Sequence, residues 1–330
     1  MLNYKKLSMN LKKLVAILND GQYHDGTCIG KKLKITRSAV WKIIQKLESY
    51  DITIQSIKGK GYALAEPLIL LDKKLIQKNL IQKDIKIIIF ERIDSTNAYL
   101  KLHTKNNNIY VCFAEHQFNG KGRLDRIWHS PFGLNLYCSC SYTFHKDMSE
   151  LSGLSLVVSL AVRATLQAYL PASLKIKWPN DILYDHKKLS GILIEVNAES
   201  NGSSTAIIGI GINVNMISKK IDAILQPWIS LRAISNQYID RNALAASLIN
   251  ILLQYLTLFN LHGLKYFQQE WKLSDVLFNK NITLLHANTA TTGRAIGINA
   301  HGLLLLKMKN NVIQAFSSGE VSVKKVKYTK

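Results

Sequence analysis

Residues 174–196 read LKIKWPNDILYDHKKLSGILIEV. The first residues alternate as a half-buried strand does, and that strand ends at Trp178-Pro179-Asn180-Asp181, where turn-forming residues crowd together. Apolar residues resume beyond it, so two strands of one hairpin are predicted to bring Lys177 and Lys188 near one another. Gly191 lets a ligand come close to the backbone. A lysine pair of this kind is either a solvated surface or a seat for an anion, and the stretch alone leaves both readings open.

Outward from here, strands and helices alternate. IIGIGINVNM at 207–216 is a buried strand in which Gly209 and Gly211 again permit close approach. LNLYCSCSYTF at 134–144 reads as a strand and 149–170 as a long helix. IKIIIFERI at 85–93 is a further buried strand. The residues after it, Asp94-Ser95-Thr96-Asn97, put hydroxyls and an amide at a helix start, either as an ordinary N-cap or as a place for a ligand carbonyl or anion. YVCFAEHQ at 110–117 is another strand, and it delivers the chain into a loop reading NGKGRLDRIW at 119–128. Glycine at 120 and 122 frees the backbone to approach a ligand, while Lys121 and Arg123 neutralise its charge. The phosphate-loop spacing GxxxxGK[ST] is absent, and a lone GxG is weak support for a dinucleotide fold; a basic surface turn fits this loop equally well.

Composition narrows the partners. Lys and Arg number 43 against 22 Asp and Glu, a formal charge of +21, which favours nucleic acid or phosphorylated ligands. Residues 1–66 hold 12 basic and 5 acidic residues and residues 276–330 hold 8 and 1, so each end carries +7 and the 209 residues between them carry the same. No apolar run approaches the ~18 to 20 residues of a membrane span, and no signal peptide is read at the start, so a cytoplasmic protein is expected. Four cysteines (Cys28, Cys112, Cys138, Cys140) without CxxC spacing and nine histidines without HxxxH suggest neither zinc nor disulfides, but reduced, buried thiols. No protein metal site is expected.

The N-terminal part has helical periodicity at Leu11, Leu14, Ile17 and Leu18. Asp25-Gly26 starts a second short helix, Lys34-Ile35 makes a tight turn, and Thr36 caps a third helix whose inner face is Val40, Ile43, Ile44 and Leu47. Its outward face is Arg37, Ser38, Trp41, Lys42 and Gln45. ITIQSI at 52–57, KGKG at 58–61 and YAL form a hairpin with Lys58 and Lys60 at its tip. The pattern is a winged helix-turn-helix whose basic face meets DNA phosphates, or else a small helix-hairpin domain used for protein contacts. A linker is expected at Glu66-Pro67. The tail alternates short strands with polar turns (NITLLHA, TTGRAIGINAHGLLLL, VIQAF, GEVSVKKV) and reads as a small β-barrel. The expected fold class is therefore α+β and multidomain: a winged helix-turn-helix at 1–66, a mixed α/β domain at 67–275 and a β-barrel at 276–330.

In order along the chain stand a winged helix, STN, EHQFNGKGRLDRIW, KWPND, KKLSGILIE and GIGIN. That order resembles the bifunctional biotin protein ligases that also repress the biotin operon, over nearly the whole chain. The resemblance implies a central domain of the biotin/lipoate ligase type, related to class II synthetases, and an SH3-like C-terminal domain. It also implies a two-step reaction: biotin and ATP with Mg²⁺ give biotinyl-5'-AMP, and a lysine of the biotin carboxyl carrier protein of acetyl-CoA carboxylase then takes the acyl group. Biotinyl-AMP is the implied corepressor, favouring a homodimer that binds operator DNA.

By the same resemblance, Ser95, Thr96, Asn97 and Gln117 line the biotin pocket, and Lys121, Gly122 and Arg123 hold the biotin tail and the phosphate. Lys188 stands near carboxylate and phosphate, with Lys177 and Asp181 in the active site and Trp128 closing over the ligand. Gly191 and Gly209 are further biotin-binding candidates; Arg126, Asn180, Asn213 and Lys324 are candidates for the adenylate, with Glu320 near the nucleotide. The family loop is commonly GRGRRGR, whereas this chain has GKGRLDR, which predicts a looser grip on the adenylate because lysine lacks arginine's bidentate fork and Asp125 adds a negative charge. Three alternatives remain: a lipoate protein ligase, a biotin-sensing regulator without catalysis, and a general nucleic-acid-binding protein.

Overall fold

Asp25 and Thr36 start their helices as the sequence predicts. The computed structural model describes residues 4–6, 8–104, 108–170, 173–198, 202–217, 224, 226–286, 289–318 and 321–326. A short strand β1 (Tyr4–Lys6) precedes helix α1 (Met9–Leu18), which buries Leu11, Leu14, Val15 and Leu18. Helix α2 (Gly26–Leu33) is capped by the Asp25 carboxylate, which accepts from the N–H of Thr27 at 2.8 Å and of Cys28 at 3.2 Å. These two hydrogen bonds hold the Asp25 carboxyl below its usual range. Lys34 turns the chain in the left-handed region (φ 56), and Thr36 Oγ1 then accepts from Ala39 N at 3.1 Å to open α3 (Arg37–Glu48).

The wing follows. Strand β2 (Ile54–Ile57) pairs antiparallel with β3 (Gly61–Leu64), and Gly61 is required: at φ 103 an added Cβ would stand 2.0 Å from the carbonyl of His24. Leu11, Leu14, Leu18, Ile29, Val40, Ile44, Leu47 and Leu64 form the core of this element, with Ile17 and Ile43 packed partly buried against it. Each such side chain stabilises by roughly 1.5–3 kcal/mol on burial.

No regular structure follows β3 until α4 (Lys73–Lys78). Strand β4 (Lys86–Ile93), helix α5 (Thr96–His103) and strand β5 (Tyr110–Ala114) then form a parallel βαβ unit, and β6 (Leu136–Phe144) returns antiparallel to β5. The predicted helix at 149–170 is shorter than expected. Met148–Leu151 is a 3₁₀ turn capped by Asp147, Gly153 (φ 85) breaks the run, and α6 covers only Leu154–Gln167. Three strands come next: β7 (Lys175–Lys177), β8 (Asp181–Tyr184) and β9 (Lys187–Ala198); β10 (Ser204–Ile212) and α7 (Leu231–Ser235) follow. Beyond α8 (Arg241–His262) and α9 (Gln268–Ser274), the tail supplies β11 (Asn281–His286), β12 (Thr289–Ile298), β13 (Leu304–Lys307), β14 (Ile313–Phe316) and β15 (Val321–Val326).

Two compact units result. One comprises Met1–Tyr142, Ile207–Leu225 and Ile229–Ser247, the other Thr143–Ala206, Gln226–Trp228 and Leu248–Lys330. In the first, the strands run in the order β1-β4-β5-β6-β10 beside the β2–β3 hairpin. In the second, β9-β8-β7 are neighbours, and a separate antiparallel sheet has the order β14-β13-β12-β11-β15.

Two expectations need correction. The segments Met148–Gln167, a 3₁₀ turn followed by α6, and Arg241–His262, of 20 and 22 residues, are long and apolar enough to cross a membrane by length and composition, although serine, asparagine and glutamine interrupt their apolar runs. Both contribute core side chains, among them Val157, Leu160, Leu248 and Leu252. As for the thiols, Cys112, Cys138 and Cys140 are buried but Cys28 is exposed on α2. Burial pushes the Cys140 thiol up to about 12.

Candidate active site and DNA-facing surface

In the first unit, Ser95 caps α5 by accepting from Ala98 N, so the first residues of the helix bring their polar side chains to the end of β4. Ser95, Thr96 and Asn97 are buried. Gln117 Oε1 lodges at this helix start, accepting from Thr96 N at 2.9 Å and from Thr96 Oγ1 at 3.1 Å. Ser139 Oγ on β6 lies 2.6 Å from both Thr96 Oγ1 and Asn97 Oδ1, and its single proton serves one of them at a time. Gly209 on β10 faces Asn97 so closely that a Cβ there would fall 2.3 Å from Oδ1. The result is a polar knot in an apolar wall of Phe90, Ile93, Cys112, Ala114 and Ile207.

The glycine loop closes on itself. Lys121 bridges Ile127, Gly122 N donates to Arg126 O at 2.7 Å, and Trp128 N donates to Gly120 O at 2.7 Å. The Trp128 ring lies against Gly211, where a Cβ would meet Cε2 at 2.4 Å, and Gly120 is hemmed in by Trp128, Ser130 and Gln117. Leu124 (φ 55) and Asp125 (φ 53) are both left-handed. Lys121 is exposed and reaches Asp125 at 3.7 Å; Arg123 is half-buried and Arg126 exposed. Burial, aided by the charges of Arg92 and His129, holds His116 down to about 4, so it is neutral at neutral pH.

The second unit holds the rest of the predicted set. The single hairpin expected for Lys177 and Lys188 is corrected: β8 stands between their strands, with Lys177 opposite Asp181 and Lys188 opposite Leu183. Lys188 Nζ reaches Asp181 Oδ1 at 2.7 Å, both side chains being mostly buried, so the anion beside this lysine is the chain's own carboxylate. Gly191 is the cross-strand partner of Asp181 on β9. Asn180 is buried and its amide donates to Ile192 O at 2.6 Å, which ties the turn to β9. In the first unit Asn213 plays a similar part, donating to Ile229 O at 3.1 Å. Glu320 lies outside the described residues, as does the Lys324 side chain, whose backbone is in β15.

On the winged element, Arg37, Ser38, Trp41, Lys42, Gln45, Lys58 and Lys60 are all exposed. Gln45 donates to Glu48 at 2.6 Å, so its amide is partly engaged; Trp41 is 52% exposed. A face of cations and amides beside a basic hairpin tip suits phosphates and base edges.

Residues 89–213 match the Biotin/lipoate A/B protein ligase family, residues 10–63 an HTH domain and residues 277–324 the biotin protein ligase C terminal domain. The bifunctional ligase/repressor BirA of Salmonella typhimurium is 35% identical over 316 residues, covering 94% of this chain and 96% of the relative. The chain belongs to the biotin protein ligase family. Its likeness extends to the bifunctional ligase/repressor BirA of Bacillus spizizenii, 28% identical over 302 residues, 90% of this chain and 93% of that one. Among solved structures, a biotin protein ligase from Aquifex aeolicus in complex with biotin and ATP aligns with a TM-score of 0.62 at 26% identity, covering 73% of this chain and 99% of that chain. Architecture and family thus agree on an HTH domain, a biotin ligase domain and a C-terminal antiparallel sheet domain.

For this member of the ligase family, sequence reading missed Ser139 and a buried ion pair at Glu115, near Gln117 in the chain. Ser139 was signalled only as a polar residue in an apolar strand. Arg241 and Glu115 are fully buried, with Nη2 donating to Oε2 at 2.6 Å, Nη1 donating to Asn135 O at 2.9 Å, and Leu71 N donating to Glu115 Oε1 at 2.6 Å. This pair anchors the strand end two residues before Gln117; nothing local in the sequence announces it.

Proposed function

We propose that this chain joins biotin to ATP, forming biotinyl-5'-AMP and pyrophosphate, and passes biotin to a lysine of a biotin carboxyl carrier protein. Biotin's carboxylate attacks the α-phosphate. Negative charge gathers there, and fixed donors and cations supply most of the catalysis. The observation that carries this reading is the Gln117 carboxamide held at the α5 start by both Thr96 donors, with the Gly209 backbone beside Asn97. Such a buried set of hydroxyls and amides suits a neutral, doubly hydrogen-bonding head group such as the ureido ring.

Within this reading Ser95, Thr96, Asn97, Gln117 and Gly209 meet the biotin head. Lys121, Gly122 and Arg123 hold the tail and phosphate, with Trp128 covering the ligand and Arg126, Asn180, Asn213 and Lys324 serving the adenylate. Lys188, beside Gly191, meets carboxylate and phosphate, with Lys177 and Asp181 in support; the Asp181 carboxylate, 2.7 Å away, holds the Lys188 side chain in place. Magnesium belongs with the nucleotide's own phosphates, since it binds through substrate phosphates and a few carboxylates rather than an all-protein cage. Domain limits of 1–66, 67–275 and 276–330 are part of the proposal.

The winged element adds repression: the seven exposed residues contact operator DNA, and biotinyl-AMP favours a homodimer by binding it better than the monomer. Incubation with ATP, biotin and a biotin carboxyl carrier domain should add the biotinyl mass to the acceptor. No mass gain, or gain with lipoate in place of biotin, refutes the assignment. Sedimentation with biotin and ATP should show more dimer than without; coincident distributions remove the repression half.

A further inference from the structure

Glu91 on β4 has a fully buried carboxylate. Lys46 forms an ion pair with its Oε1, and the Tyr50 hydroxyl donates to the same oxygen at 2.7 Å. Oε2 has no hydrogen-bond partner among the described residues, so this buried charge depends on Lys46 and Tyr50. Both partners come from the winged element: Lys46 from the last turn of α3 and Tyr50 from the residues just after it.

Tyr50 is tied further into the ligase domain. Its ring stacks on Phe132 at 4.3 Å, and the Arg92 guanidinium lies 5.2 Å from the Tyr50 ring centroid and 4.1 Å from that of Phe118. Two short routes then reach the biotin-facing cluster. Phe118 directly follows Gln117, and its N–H donates to Ile93 O at 3.0 Å, tying the loop start to the end of β4. Phe132 lies two residues beyond Ser130, whose hydroxyl accepts from Gln117 Nε2 at 3.4 Å.

We infer that Lys46 and Tyr50 are positioning residues for the biotin pocket, so that the end of the DNA-recognition helix holds the β4 end and Gln117 in their ligand-binding arrangement. This rests on the ligase reading above. A support of this kind acts inside one chain, without DNA and without a second protomer. Removing one partner of a buried pair leaves an uncompensated charge that pulls the local structure toward water, whereas removing both charges leaves an apolar contact that still packs.

The test uses the full chain in pyrophosphate-release assays and biotin titrations. Lys46→Met and the conservative Tyr50→Phe should each raise KM and Kd for biotin about fivefold or more, with kcat within about twofold of the parent. Lys46→Met/Glu91→Met should return KM toward the parent value, below that of Lys46→Met alone. Lys13→Met, an exposed lysine of α1, should leave both constants unchanged. Parent-like KM in both single variants, a loss in kcat alone, or a double variant worse than the singles overturns the inference, folding being checked by circular dichroism. Absence of pyrophosphate release and of biotin binding in the unaltered chain is a different result, and it removes the ligase reading itself.

Discussion

Gly209 shows how a single missing methyl group makes room for a neighbouring side chain, that of Asn97. A β-carbon at this position would sit 2.3 Å from Asn97 Oδ1, and Asn97 could yield only by leaving Ser139. Overpacking of this sort costs about 1–3 kcal/mol, so Gly209→Ala should weaken biotin binding roughly tenfold or more in a titration. Parent-like affinity would show that the Gly209 face is not where biotin sits. The loop departure is also a matter of two residues. Leu124 and Asp125 occupy left-handed backbone, which costs a residue with a β-carbon ~1–2 kcal/mol. In addition, the Asp125 carboxylate draws on Lys121 at 3.7 Å. Leu124→Arg/Asp125→Gly relieves strain at 125, releases Lys121 and adds a cation, so dissociation of biotinyl-AMP should slow by about tenfold. An unchanged rate would mean that the loop charge does not set adenylate retention.

Between elements, Asp275 closes α9 and starts the approach to the C-terminal sheet. Its Oδ1 accepts from Leu277 N at 2.8 Å, while Oδ2 is buried without a hydrogen bond. Burial pushes its carboxyl up to about 7, against the opposing effects of the Leu277 N–H and Lys175. Because the folded pKa exceeds the unfolded value of 3.8, the folded chain binds more protons between those limits, and stability falls as pH rises through the window. Asp275→Asn keeps the acceptor and removes the charge. It should raise the unfolding midpoint above the parent's at pH 8, by an amount worth roughly 4 kcal/mol at most, and the gain should vanish below about pH 4. A gain that persists at low pH would assign the effect to something other than this ionisation.

Over the whole molecule, a formal charge of +21 is an electrostatic asset only where it meets phosphate. Under the proposed repressor reading the exposed lysines of the wing tip supply such a place, so Lys58→Ala/Lys60→Ala should weaken operator binding about equally across sequences and reduce the slope of log K against log salt by about 2. An unchanged slope would take the wing off the DNA. The same variant should leave biotin activation untouched, because neither lysine belongs to the polar knot around Gln117.

Local rules made much of this protein legible. Helix starts at Asp25, Thr36 and Ser95, the outward face of α3, the wing and the presence of β4, β5 and β10 follow from capping and periodicity, which neighbouring residues set among themselves, although β5 stops at Ala114 instead of 117 and β10 runs over Ser204–Ile212 instead of 207–216. Motif order was enough to reveal the family. What the chain order could not disclose are the partners across the fold. Asp181 pairs with Lys188 through a strand that comes between the two lysines; Arg241 finds Glu115 from 126 positions away; and Glu91 is claimed by Lys46 and Tyr50. Buried charges choose partners by desolvation and geometry, and neither has a period along the chain.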